Sequence, residues 1–179
     1  MLIRQEFRLF ARVDAFEFGL CERLNRSCRR ESVRDVFRVV SRLGDGVFWY
    51  LLMVLIPFRY GAAGVRTALA MAIAGSVGWL LYKALKSRLV RERPYITFER
   101  ILPGTRPLDR YSFPSGHTLH AVAFTWIAVA HFPELGWLLI PFAVLVAGSR
   151  VVLGLHYPSD VLAGASLGAG IALTALVAF

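Results

Sequence analysis

Five stretches of this chain contain no aspartate, glutamate, lysine or arginine: Val47–Phe58, Thr67–Tyr82, His117–Phe132, Leu135–Ser149 and Val161–Phe179. Blocks of this kind suit hydrocarbon better than water, because a helix crossing a bilayer satisfies its own backbone and needs an apolar surface all round. Several fall short of the roughly 20 residues that a helix needs to cross hydrocarbon. Flanking Trp, Tyr, Lys and Arg extend their reach into the interface. Composition agrees, with 56% hydrophobic residues, a mean hydropathy of +0.55 and only 18% charged residues, against about a quarter in soluble domains. The pattern predicts an all-α, polytopic membrane helix bundle of about five transmembrane helices, six if the N-terminal segment also crosses. Gly164 and Gly168 place a GxxxG step in the last of them, where small residues let helices approach closely.

Residues 2–24 read as an amphipathic helix. Ile3, Phe7, Phe10, Val13, Phe16, Leu20 and Leu24 follow helical spacing, and Arg4, Arg8 and Arg12 lie off that stripe. So many charges suit an interfacial helix with its arginines toward lipid phosphates, or a solvated helix covering the bundle. They also leave no apolar core for a cleavable signal. A second helix presents Val33, Val36, Phe37, Val40 and Leu43 on one face and Arg30, Arg34, Arg38 and Arg42 on another. Gly44-Asp45-Gly46 breaks the pattern. Residues 1–44 are therefore expected to form interfacial helices and residues 45–179 the transmembrane bundle, as one domain overall.

The net charge of +9 would suggest nucleic acid in a soluble protein. In a membrane chain, anionic headgroups and anionic substrates account for it, so no nucleic-acid partner is expected. Cys21 and Cys28 are the only cysteines. Seven residues apart on a helix, they are separated by a rise of about 10 Å, too far for a disulfide.

Alternation of five spans puts residues 86–116 and 150–158 on one side of the membrane, together with the N-terminal segment. Three polar clusters therefore meet. In the first, Lys86 sits where a span emerges, and Arg93-Pro94 follows a short charged run. An arginine fork and a lysine point charge both suit phosphate oxygens, although alone the pair reads as an interfacial, snorkelling cluster. In the second, Pro114-Ser115-Gly116-His117 opens a helix. Ser115 is a good cap, Gly116 lets a ligand approach the backbone, and free N–H groups attract anions. An ordinary capped helix with an interfacial histidine explains it equally well. In the third, Arg150 ends a span, and Pro158 starts a helix whose first turn holds Asp160, close to His156. A carboxylate on one imidazole nitrogen fixes the tautomer and sharpens the other; Asp160 is also a fitting helix cap. Ionisable groups gathered beside apolar spans are costly and point to function.

Lys86-x6-Arg93-Pro94, Pro114-Ser-Gly-His117 and Ser149-Arg150-x5-His156-x3-Asp160 resemble, in order and spacing, the three signature motifs of the type-2 phosphatidic acid phosphatase superfamily. That superfamily also holds bacterial acid phosphatases and vanadium haloperoxidases. The resemblance covers residues 83–165 closely, and Ser41–Gly46 also looks like bacterial members. It implies an integral membrane, metal-independent phosphatase with no cofactor, acting on a lipid phosphate or diphosphate such as undecaprenyl diphosphate, phosphatidylglycerophosphate or phosphatidate. By the same resemblance, His156 is the nucleophile that forms a phosphohistidine, Asp160 orients it, and His117 protonates the leaving oxygen and then helps activate water. Lys86, Arg93, Arg150, Ser115 and the Gly116 amide would hold the phosphoryl oxygens.

His120, one turn after His117, makes a zinc site with His156 and Asp160 conceivable, but the surrounding cations would repel a metal. His131 sits at the far end of its helix and reads as interfacial. A phosphotransferase with a sugar or lipid acceptor uses the same motifs, and a non-enzymatic lipid-binding scaffold would be expected to have lost one of His117, His156 and Asp160. The resemblance implies a multi-pass protein of the inner (plasma) membrane with its site on the extracytoplasmic face. Against this, all but Arg59 and Arg66 of the 21 Lys and Arg residues fall on the active side, which the positive-inside rule would make cytoplasmic.

Overall fold

The computed structural model describes residues 3–106 and 109–179, with side chains from Phe10 onward. Every regular element among them is helical: α1 (Ile3–Asn25), α2 (Glu31–Arg42), α3 (Phe48–Arg88), the single turn α4 (Pro94–Thr97), α5 (Gly116–His131), α6 (Gly136–Val152) and α7 (Pro158–Ala178). Each of the five uncharged stretches lies in a helix, as a membrane bundle requires. The segments 31–88, 133–152 and 158–178 are long and apolar enough to cross a bilayer.

The first two apolar stretches share α3, which is not straight. Gly61 has φ +57°, a left-handed value that glycine adopts without a Cβ penalty. A Cβ on Gly64 would lie 2.5 Å from the Ile56 carbonyl oxygen, whereas eight residues of straight helix would separate these positions by about 12 Å. The chain therefore folds back at residue 61, and α3 is two arms. Sequence reading placed a connection at residues 59–66; the backbone there stays helical and the reversal is concentrated at Gly61.

Helix α5 is the centre of the bundle, packed by α3, α6 and α7. Its Leu119, Ala121, Ala123, Ile127 and Ala128 are buried, and Trp49, Met71, Leu139, Val146 and Ala172 close around it. The expected GxxxG contact is present and faces α5: a Cβ on Gly164 would lie 2.5 Å from the Ser115 carbonyl, and Gly168 is equally tight against Leu119. Outside, Leu51, Leu55, Ile73, Ile140, Val144, Leu162 and Val177 are exposed. An apolar exterior of this extent suits lipid, not water.

The N-terminal helices differ from expectation in which face points inward. In α1, the apolar Val13, Phe16, Leu20 and Leu24 are exposed, Phe16 to 89%, while Asp14, Glu17, Cys21 and Asn25 turn inward. The acidic and small side chains are retained by partners in the loops, and the apolar stripe is left for the bilayer. The side chains of Ile3, Arg4, Phe7 and Arg8 lie outside the described residues. In α2, Val33, Phe37 and Val40 face inward as expected, but Val36 and, just beyond the helix, Leu43 are exposed. Cys21 and Cys28 are free thiols.

Candidate active site

The three polar clusters converge at one end of the bundle. His156 lies in the α6–α7 connection, and its position is set from both sides. Its backbone N–H donates to the Arg150 carbonyl at 3.1 Å, and Pro158 and Asp160 start α7 immediately afterwards. Asp160 Oδ2 accepts the Tyr157 backbone N–H at 2.8 Å, so the carboxylate caps α7 as expected. The same oxygen lies 3.7 Å from His156 Nδ1, adjacent to the ring but beyond hydrogen-bond length.

Arg93 decides the state of His156. Its Nη1 lies 3.2 Å from His156 Nε2 and donates to the Leu155 carbonyl at 2.8 Å. An arginine can only donate, so Nε2 accepts through its lone pair and the ring proton sits on Nδ1, toward Asp160. Burial, reinforced by the charges of Arg150, Arg93 and Lys86, holds the His156 imidazole well below its ordinary pKa of 6.5. The Nε2 lone pair thus points at a guanidinium.

Arg150 approaches from the end of α6. Its Nη1 donates to Ser41 at the end of α2, and its buried Nε–H has no protein partner. A buried donor left open in this way is costly unless a ligand meets it. His117, in the first turn of α5, places Nε2 3.2 Å from Asp45 Oδ1. Gly116 lines the same cavity, and a Cβ there would make only ordinary contact with Tyr82, at 3.6 Å. No protein neighbour demands glycine at this position; the open side belongs to the cavity. Ser115 occupies the helix cap, but its hydroxyl bonds Thr118 Oγ1 at 3.0 Å and is fully buried away from the cavity.

Two cavities meet at His117 and Arg150. The larger, about 770 Å³, runs from Lys86, Arg93 and His156 between the arms of α3 and along α5, past Trp49, Met53, Trp79 and Phe124. It is polar at one end and apolar along its length. The second, about 670 Å³, opens under α2.

Sequence reading missed four acidic groups and one arginine. Asp109 bonds Lys86 Nζ and Arg93 Nη2, each at 2.8 Å. Burial raises the Asp109 pKa, but the bonds and charges of Lys86 and Arg93 outweigh this and hold it below the usual carboxylate range. Asp45 faces His117. Arg91, not singled out among its charged neighbours, is only 1% exposed and is held by Asp14, Glu17, Ser159 and Asp160. Only the Gly44-Asp45-Gly46 break hinted at any of these. His120 faces the Gly116 and Gly75 carbonyls at 2.9 and 3.1 Å and ties α5 to α3. His131 faces the Ile127 carbonyl. Among the described residues no group of three or more His, Cys, Asp or Glu side chains is set to hold a metal.

The chain is similar to proteins of one known family. The model of the PAP2 superfamily matches residues 63–179. A lipid A 1-phosphatase of Rhizobium etli is 30% identical over 170 residues, covering 83% of this chain and 73% of that protein. Phosphatidylglycerophosphatase B of Bacillus subtilis is 32% identical over 157 residues, covering 78% and 72%. The crystal structure of Aquifex aeolicus LpxE superposes with a TM-score of 0.78 over 90% of this chain and 95% of that one; at 24% identity the likeness is one of fold. A PAP2-type phosphatidylglycerolphosphate phosphatase from Bacillus subtilis superposes with a TM-score of 0.70 at 28% identity, over 89% and 84%.

Proposed function

This chain belongs to the PAP2 superfamily, and we propose that it is an integral membrane phosphatase that removes a terminal phosphate from a lipid through a phosphohistidine. The observation that carries this reading is His156 Nε2 held 3.2 Å from the Arg93 guanidinium, at the polar end of an otherwise apolar cavity.

The chemistry follows from the parts. Arg93, Arg150 and Lys86 gather the phosphoryl oxygens; the unpartnered Nε–H of Arg150 is one donor already waiting. His156 Nε2 attacks phosphorus and a P–N bond forms, while the bond to the leaving oxygen breaks and His117 supplies that oxygen with a proton. Asp160 favours the Nδ1–H tautomer and the positive ring that forms on attack. A water then enters where the leaving group was and gives a proton to His117; its oxygen bonds phosphorus as the P–N bond breaks, the electron pair returns to His156 Nε2, and inorganic phosphate is released. The guanidiniums are in place before charge develops, which is the economical form of electrostatic catalysis. Asp109 occupies Lys86 and Arg93 in the structure and shares them with the incoming phosphate.

The hydrocarbon chain of the substrate would lie in the larger cavity among Trp49, Met53, Trp79 and Phe124. Tyr50 and Leu80, which also line it, are exposed on the bundle's exterior, so a lipid can enter sideways from the bilayer. The names of the relatives above point to phosphatidylglycerophosphate or lipid A, and undecaprenyl diphosphate and phosphatidate complete the panel. In this reading the protein resides in the inner membrane with its site on the extracytoplasmic face. Hydrolysis of substrate added outside intact spheroplasts is expected; hydrolysis only after lysis reverses the orientation.

The deciding experiment measures phosphate release from these four lipids by detergent-purified protein, with EDTA present. Release that survives EDTA and disappears in a folded His156→Ala variant is the expected result. Full activity in that variant ends the phosphohistidine reading. Transfer to an added acceptor without release of phosphate would make the protein a transferase.

A further inference from the structure

Beyond His117 and Arg150, the residues of the second cavity have no part in the chemistry just described. It lies beneath α2 and is shaped by Asp35, Arg38, Arg42 and Arg106, with Asp45, His117 and Arg150 forming the wall it shares with the first. Four guanidiniums against two carboxylates leave it positively charged. Among the described residues, neither Arg42 nor Arg106 pairs with a carboxylate. Arg38 is held from both sides, Nε donating to the Gly104 carbonyl and Nη1 to Asp35 at 3.0 Å, and its Nη2 makes no bond among the described residues.

Exposed cations at a membrane surface are ordinarily explained by headgroup attraction. These line a concave space instead, and that space joins the larger cavity at Asp45, His117 and Arg150, of which His117 serves the leaving oxygen in the mechanism above. Planar guanidiniums present forks that match phosphate and phosphodiester oxygens. We propose that this second cavity is an anion subsite that binds a phosphate carried on the leaving group of the lipid substrate, and so selects lipids with two phosphates over lipids with one. The inference rests on the phosphatase reading above and specifies its substrate class. In undecaprenyl diphosphate the leaving group carries the inner phosphate, and in phosphatidylglycerophosphate it carries a phosphodiester. In phosphatidate it is neutral diacylglycerol, which gives the cavity nothing to hold.

The test uses full-length protein in detergent with Arg42→Gln, Arg106→Gln and the double variant. Both side chains are exposed, and turnover of phosphatidate reports that each variant is folded. kcat/KM is measured for phosphatidylglycerophosphate, undecaprenyl diphosphate and phosphatidate. The expected result is that the double variant loses at least tenfold in preference for the two-phosphate lipids relative to phosphatidate, chiefly through KM. A tenfold change corresponds to about 1.4 kcal/mol, within reach of one charged phosphate contact. An equal fall on all three lipids, or no change in the ratios, overturns the inference while leaving the phosphatase reading intact. Inhibition by inorganic phosphate is measured in parallel. Weaker inhibition with unaltered lipid ratios shows that the cavity takes free product phosphate and also overturns the inference. Wild-type protein inactive on every lipid refutes the phosphatase reading and this inference with it.

Discussion

Arg91 Nη1 lies 2.5 Å from Asp160 Oδ1, and both side chains are essentially sealed from solvent. The pair is the centre of a larger network. Arg91 Nη2 reaches Asp14 at 2.6 Å and Glu17 at 2.9 Å, and its guanidinium lies 3.9 Å over the Tyr157 ring. Glu17 in turn accepts the backbone N–H and the hydroxyl of Ser159, both at 2.7 Å. Burial alone would lower the Arg91 pKa, but the carboxylates of Asp160, Asp14 and Glu17 outweigh it and hold the group above its ordinary value. One cation thus fixes α1 to the start of α7 and sets the carboxylate that orients His156.

Arg91→Met should therefore be among the most damaging single changes outside the catalytic set. It would leave three carboxylates without their partner, and breaking a buried ion pair in this way costs about 3–5 kcal/mol. The expected outcome is a large drop in unfolding midpoint in detergent, followed by circular dichroism, together with lower kcat. Arg91→Lys should recover only part of both, since a point charge cannot serve three carboxylates at once. A wild-type midpoint in Arg91→Met would show that α1 is held by other contacts.

Arg93→Lys retains the charge and removes the fork. Arg93 uses Nε, Nη1 and Nη2 together, on Asp109, Leu155 and His156, and lysine cannot span these positions. Loss of one preorganised donor to a developing oxyanion typically costs about 10²–10³ in kcat, and a fall of that order is expected in steady-state phosphate release. Near-wild-type turnover would mean that Arg93 is only an interfacial cation.

Gly164→Ala should destabilise the bundle although it adds a single methyl group. That methyl would press on the Ser115 carbonyl at 2.5 Å, and neither backbone can yield without separating α5 from α7. Overpacking of this kind costs about 1–3 kcal/mol. Because Ser115 adjoins Gly116 and His117, kcat should fall as well. Thermal unfolding and turnover measured on one preparation check both effects.

Stability should decline as pH falls below about 6.5. The folded site holds His156 neutral well below that value. The unfolded chain takes up a proton there that the folded chain refuses. Protons bound preferentially by the unfolded state favour unfolding, so the loss begins near 6.5 on the way down and levels off below the depressed folded value. The midpoint of wild-type protein should drop between pH 7 and pH 5, and His156→Gln should show a smaller drop over the same interval. Equal slopes in the two proteins would assign the acid sensitivity to other groups.

Much of the site was legible because each signature residue lies within a few positions of a span end. His117, Arg150, His156 and Asp160 sit at the starts and ends of apolar helices, so alternation of spans brings them to one face. Arg91 was not legible for the opposite reason. Arg88, Arg91 and Arg93 share one short charged run, and nothing local separates the one that is buried. Its partner Asp14 is 77 residues away. Likewise Asp109 lies 16 positions from its partner Arg93, and no periodicity predicts which way its side chain points.

What this sequence determined unaided is therefore the helical membrane architecture and the gathering of its motif residues at one end. Both follow from hydropathy blocks and chain direction, which are additive along the chain and need no partner. Only the tertiary structure decided the reversal of α3 at Gly61, the inward turn of the acidic face of α1, and the choice of Arg91 as the buried cation. Each of these depends on pairing between distant residues. A charge enters a low-dielectric interior only where opposite charges and hydrogen bonds meet it, and that condition exists only once the chain has folded.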